Sequence, residues 1–110
     1  MKITYKNTKL KSLCENPLYQ KELVKRYGLE AAQKLPRRIK ELQAFQTLND
    51  VPQSPPYRRH KLSGNRKNQF AISITRQYRL IFRRVDNQIV IEDLTKIKEI
   101  EIMEVSKHYE

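Results

Sequence analysis

Apolar and polar positions along this chain follow two different periods, and the change falls near residue 57. Met1 to Tyr5 opens on period two, with Ile3 and Tyr5 set against Lys2 and Thr4, and predicts a short strand. Asn7 or Thr8 then caps a brief helix carrying Leu10 and Leu13, which ends before Asn16-Pro17. Asn16 is the next N-cap, with Pro17 at the first helical position, where its missing N–H costs nothing. That helix runs through Leu18, Tyr19, Leu23 and Val24 to Tyr27, and Gly28 supplies a left-handed stop. Leu29, Ala32, Leu35, Ile39, Leu42 and Phe45 recur at the i, i+3, i+4 spacing of one buried helix face. Pro36 falls inside this run and is expected to kink the helix or restart it. Lys34, Arg37, Arg38 and Lys40 lie mostly off the apolar stripe, on what reads as a solvated face. Leu48 to Pro56 reads as a linker-like loop rich in turn formers.

From Tyr57 onward the pattern is that of strands. Phe70-Ala-Ile-Ser-Ile-Thr75 alternates large apolar with small residues, and Tyr78 to Arg84 forms a second run joined to it through Arg76-Gln77. Asp86-Asn87 reads as a turn into a further strand, Gln88 to Leu94; Ile100 to Val105 is a fifth strand or a frayed tail. The fold class expected is α+β: an N-terminal strand and helices packed on one face of an antiparallel β-sheet, the other face uncovered. A chain of 110 residues has room for one such domain, 1–110, around one modest core.

Charge changes the picture most. Twenty-three Lys and Arg against twelve Asp and Glu leave a formal charge of +11, a self-repelling excess that calls for a polyanionic partner. Cys14 is the single cysteine, so no internal disulfide can form, and no Cys/His spacing suggests zinc; a structural thiol is the better reading than a nucleophile. The first residues lack the apolar run of a signal peptide, and no stretch approaches the ~18 apolar residues of a membrane span. The expectation is therefore a protein of the reducing cytoplasm without a membrane partner.

Candidate chemistry concentrates between Tyr57 and Arg84. This stretch holds Arg58, Arg59, Lys61, Arg66, Lys67, Arg76, Arg79, Arg83 and Arg84 without one Asp or Glu, where a solvated surface interleaves both signs. It reads as a phosphate-binding face. If Phe70, Ile72, Ile74, Leu80 and Phe82 point to the core, then Ala71, Ser73 and Thr75 floor the other face, Ile81 lies among them, and Arg79 and Arg83 wall it. The two histidines, His60 and His108, both sit beside cations and a tyrosine: Tyr57-Arg-Arg-His-Lys61 and Lys107-His-Tyr-Glu110. Cationic neighbours favour neutral imidazole, fit to accept a proton. Cleaving RNA needs a base for the 2′-hydroxyl, an acid for the 5′-oxygen and cations for the phosphorane, which imidazole, phenol and Arg/Lys supply without metal. No Asp/Glu cluster of the kind two-metal nucleases use is present, nor a phosphate-cradling glycine loop.

Arg59-His-Lys-Leu-Ser-Gly64, the block Phe70-Ala-Ile-Ser-Ile-Thr-Arg-Gln-Tyr-Arg-Leu-Ile-Phe82 and the tail Lys107-His-Tyr-Glu110 together resemble the RelE/ParE toxin superfamily, and within it the HigB-like, or plasmid maintenance killer, toxins. The resemblance implies the toxin of a type II toxin–antitoxin pair: a ribosome-dependent, metal-independent mRNA endoribonuclease that needs no cofactor and cleaves by 2′-hydroxyl attack to a cyclic phosphate. It assigns His60 to acid–base chemistry, Arg76 and Arg79 to the scissile phosphate, and His108 and Tyr109 to proton transfer or base stacking. Tyr57, Arg58, Arg59, Lys61, Arg66, Lys67, Arg83 and Arg84 become RNA or ribosome contacts. The partners implied are mRNA in the ribosomal A site and a HigA-like helix-turn-helix antitoxin, with operator DNA reached only through the antitoxin. Two other readings compete: a ParE-like poison of DNA gyrase without ribonuclease activity, and a basic nucleic-acid-binding protein without catalysis. The histidines and the terminal His-Tyr favour the enzyme.

Overall fold

The computed structural model describes residues 1–66, 68–85 and 93–107. Lys2–Tyr5 forms β1, and three helices follow: α1 (Thr8–Glu15), α2 (Gln20–Tyr27) and α3 (Leu29–Ala44). The strands β2 (His60–Lys61), β3 (Gln69–Ser73), β4 (Tyr78–Arg84) and β5 (Glu99–Lys107) complete an α+β fold with a five-stranded sheet in the order β1-β5-β4-β3-β2.

Local chemistry sets the helix boundaries. The Asn7 side chain accepts the Leu10 N–H at 2.8 Å and starts α1, which buries Leu10, Leu13 and Cys14. Asn16 accepts the Leu18 N–H at 3.0 Å, but Pro17–Tyr19 makes a 3-10 turn before α2 begins at Gln20. Gly28 takes φ 86° with an extended ψ of 169°, because α3 starts at the next residue and the chain must turn rather than stop.

The helix α3 carries most of the helical core through Ala31, Ala32, Leu35, Ile39 and Leu42. Pro36 lies inside a helix that continues to Ala44, which excludes a restart there: the missing N–H costs a bond without ending the element. The helix departs from the sequence-based expectation at two points. Leu29, counted in the apolar stripe, is 61% exposed. Arg38, counted on the solvated face, is 6% exposed: its Nε donates to the Ser73 carbonyl at 3.2 Å, an Nη pairs with Glu41 at 2.8 Å, and the guanidinium lies over the Tyr57 ring. Those partners satisfy a charge that burial would otherwise penalise heavily.

The loop after α3 is not a linker. Thr47 and Asp50 form a capping box on a 3-10 turn, Leu48–Asp50, and Leu48 and Val51 are fully buried in the core. Arg59 serves this loop, donating its Nε to the Val51 carbonyl at 2.7 Å.

In the sheet, β1 runs parallel to β5 while the other neighbours are antiparallel, so the sheet is mixed rather than wholly antiparallel. The fifth strand is no frayed tail: β5 lies between β1 and β4 and is the longest strand described. The strand expected over Gln88 to Leu94 lies outside the described residues up to position 92; its last residue, Leu94, opens a 3-10 turn. Phe70, Ile72, Ile74, Leu80, Phe82, Ile100 and Ile102 join the helices in one core.

Candidate nucleic-acid interface

The register of β2 to β5 assigns the side of the sheet facing away from the helices. His60 pairs with Ala71, Ala71 with Ile81, and Ile81 with Glu104, making one cross-strand row. Toward the β3–β4 turn the next row is Ser73, Arg79 and Ser106; in the other direction it is Gln69, Arg83 and Glu101, with Thr4 beyond. Side chains directly opposite each other share a face, so all of these residues belong to one surface. The expected parity of β3 and β4 holds: Ala71 and Ile81 lie outside the helix-side core, and both are fully buried on their own face.

A β-bulge between Ile81 and Phe82 on one strand and Glu104 and Ile102 on the other leaves Met103 as an extra residue in β5. It reverses the alternation there, so Glu101 and Glu104, three residues apart, both reach the same face. This face therefore is not free of acids. Arg83 Nε pairs with Glu101 at 2.6 Å, and an Arg66 Nη pairs with Glu104 at 3.2 Å. Glu104 stands three strands from the β2 edge, about 14 Å at ordinary strand spacing. The turn Gly64–Arg66 must therefore fold over the sheet for that contact, and it roofs the Ala71–Ile81 floor.

His60 is exposed on the β2 edge, and its Nδ1 lies 2.9 Å from the Arg58 carbonyl. A carbonyl only accepts, so Nδ1 carries the proton and the lone pair of neutral imidazole sits on Nε2. Arg79 rises from β4 one row away on the same face of the sheet; strand spacing and rise put the two Cα atoms about 12 Å apart. Arg79 is half-buried, and its Nε is buried with no hydrogen-bond acceptor among the described residues. A guanidinium N–H left without an acceptor in a folded protein calls for an explanation, and an anionic ligand supplies one.

The remaining candidates separate. Arg76 is exposed in the β3–β4 turn and lines a cavity with Arg38 and Arg58 rather than standing beside His60. Lys61 pairs with Phe70 and so belongs to the helix-side face, where it is exposed at the sheet edge; Arg84, paired with Ile100, is on that side too. Arg59 is 8% exposed and committed to Val51, which removes it from any surface contact set. Tyr57 is half-buried, edge-on to Phe45 at 5.6 Å and beneath Arg38, a packing role. Lys67, His108 and Tyr109 lie outside the described residues. Glu101, Glu104 and the buried Arg38 are the residues that the sequence-based site omits; the spacing of the two acids, three apart, carries no sign that both reach one face.

Comparison with solved structures places the fold. The chain aligns with a YoeB/ParE toxin from Agrobacterium tumefaciens at 16% identity and TM-score 0.54, over 99% of this chain and 100% of that one. It aligns with a chain of the YoeB-YefM complex from Staphylococcus aureus at 15% identity and TM-score 0.52, over 99% and 98%. Helices on one face of a mostly antiparallel sheet define, with these likenesses, a RelE-like toxin fold. The family model for the RelE-like toxin of the type II toxin–antitoxin system HigB matches residues 6–96. This chain belongs to that HigB-like toxin family. No curated protein sequence matches it.

Proposed function

We propose that this toxin is a ribosome-dependent mRNA endoribonuclease that cuts by 2′-hydroxyl attack, leaves a cyclic phosphate and uses no metal ion. The observation that carries this reading is the placement of His60, its Nε2 left as the lone-pair nitrogen, and the acceptor-less Arg79 on one face of the sheet, two strands apart. In this scheme His60 Nε2 takes the 2′-proton, Arg79 holds the scissile phosphate, and Arg76 binds at the adjoining turn. His108 and Tyr109 supply the acid or stack on a base; they follow directly on β5, which ends opposite Tyr78 at the Arg79 end of the sheet. Arg58, Lys61, Arg66, Lys67, Arg83 and Arg84 contact RNA or ribosome in this reading. A HigA-like helix-turn-helix antitoxin is the proposed protein partner, as YefM is for the Staphylococcus aureus YoeB, and operator DNA is reached only through it.

The test is to induce the chain in cells and map 5′ ends on translated mRNAs. Codon-phased cuts that vanish when translation is blocked are expected, and His60→Gln or Arg79→Ala should lower cleavage by about 10²–10⁴-fold while the circular dichroism spectrum is retained. Intact mRNA with a supercoiling defect would instead identify a gyrase poison.

A further inference from the structure

Beyond the sheet face lies a second cationic concavity. It sits where α3, the turn through Pro55 and Pro56, and the end of β3 meet, with a volume of about 480 Å³. That volume falls in the range of small-molecule sites. Its charged and polar walls are Lys34, Arg38, Arg58, Arg76, Ser73 and Glu30. Four cations face one carboxylate, and that carboxylate is already spent on Lys34 at 3.2 Å. Arg38 is immobilised by Ser73, Glu41 and the Tyr57 ring, which gives the cavity a rigid wall.

Two arginines are left over. Arg58 and Arg76 are exposed, their guanidinium groups have no hydrogen-bond or ion-pair partner among the described residues, and both residues line this space. Arg58 is moreover held at φ 52°, a left-handed conformation that non-glycine residues adopt at a cost and that clusters at functional sites. Ser73 ties the cavity to the sheet face: it stands directly opposite Arg79 in the register and also lines the cavity.

We infer that this cavity is a second phosphate subsite, in which Arg58 and Arg76 bind the phosphate of the nucleotide flanking the one held at Arg79. The inference rests on the ribonuclease reading for the identity of the strand, but the subsite itself is a matter of anion binding. Continuity with the Arg79 row through Ser73 favours a flanking nucleotide over an acidic protein segment, since one strand leaving Arg79 past the sheet edge enters this space.

The experiment is a titration of the full chain with adenosine 5′-monophosphate and, separately, inorganic phosphate, followed by amide and arginine side-chain NMR. Saturable shifts are expected at Arg58, Ser73 and Arg76 with both probes. Arg58→Asn, a residue that tolerates positive φ, and Arg76→Gln should each weaken binding about tenfold, the worth of one charge-assisted hydrogen bond. Lys21→Gln, at an exposed position on α2, should leave this binding unchanged. Unmoved cavity signals, or an acidic peptide shifting them where adenosine monophosphate does not, overturn the subsite and leave the cleavage reading standing. Cavity shifts in a chain that cuts no mRNA keep the subsite and remove the ribonuclease.

Discussion

At the scale of single residues, burial decides what a polar group does here. Cys14 is 2% exposed, and burial, with Glu15 nearby, pushes its thiol up to about 12. Burial likewise raises Tyr5 and Tyr27 above the ordinary phenol range. A pKa raised by folding means that the folded chain holds its proton more tightly, so the stabilisation is complete below the unfolded-state value and drains away above it. For Cys14 that window runs from about pH 9 to about 12. Urea midpoints followed by circular dichroism should fall across it. Cys14→Ala shifts every midpoint by a constant packing cost but flattens the slope over the same range; an unchanged slope would show that the thiol is not responsible. The same rule governs Arg38 and Arg59, whose roles could not be read from the sequence. Their partners are backbone carbonyls, Ser73 and Val51, brought close only by the fold. A lone cation in a polar stretch carries no mark of that. The face on which Arg79 lies, by contrast, was legible, since the parity of β3 and β4 follows from neighbours in the chain.

Secondary-structure elements were legible wherever one period ruled an uninterrupted segment. The strand over Tyr78 to Arg84 is found with the expected bounds, and β3 with the expected parity, because β4 is a short apolar run bounded by polar residues and β3 alternates large apolar with small residues. In β5 the bulge at Met103 breaks the alternation, so no parity argument could have carried Glu101 and Glu104 to one face. In α3 the apolar stripe is right from Ala32 to Leu42 and fails at its first turn, where Leu29 is exposed. This difference is measurable. Leu42→Ala, at a fully buried position, should cost about 2–5 kcal/mol in chemical denaturation. Leu29→Ala should stay within about 0.5 kcal/mol of the parent. Equal costs would mean that the stripe extends through Leu29 after all.

For the molecule as a whole, the formal charge of +11 is distributed unevenly between work and support. Arg66 and Arg83 are paired with acids on the sheet face, Arg38 and Arg59 are internal, and Arg58 and Arg76 are exposed and line the cavity beside α3. A single RNA strand neutralised at about five phosphates should show a log–log salt slope near ~ −3.5 in fluorescence anisotropy. A flat response would speak against a polyanion on this surface. No helix among the described residues is long and apolar enough to cross a membrane. The pairing of β1 with β5 has a last consequence, for how the chain is made. Lys2 and Glu99 lie side by side in the sheet but ninety-odd positions apart in the message, so at about 5–20 residues per second β1 waits roughly 5–20 s for its partner to leave the ribosome. Until then the strand carrying Glu101, Glu104 and Ser106 is missing from the interior of the sheet, and a nascent chain cannot complete the face that those residues share with Arg79 and Arg83.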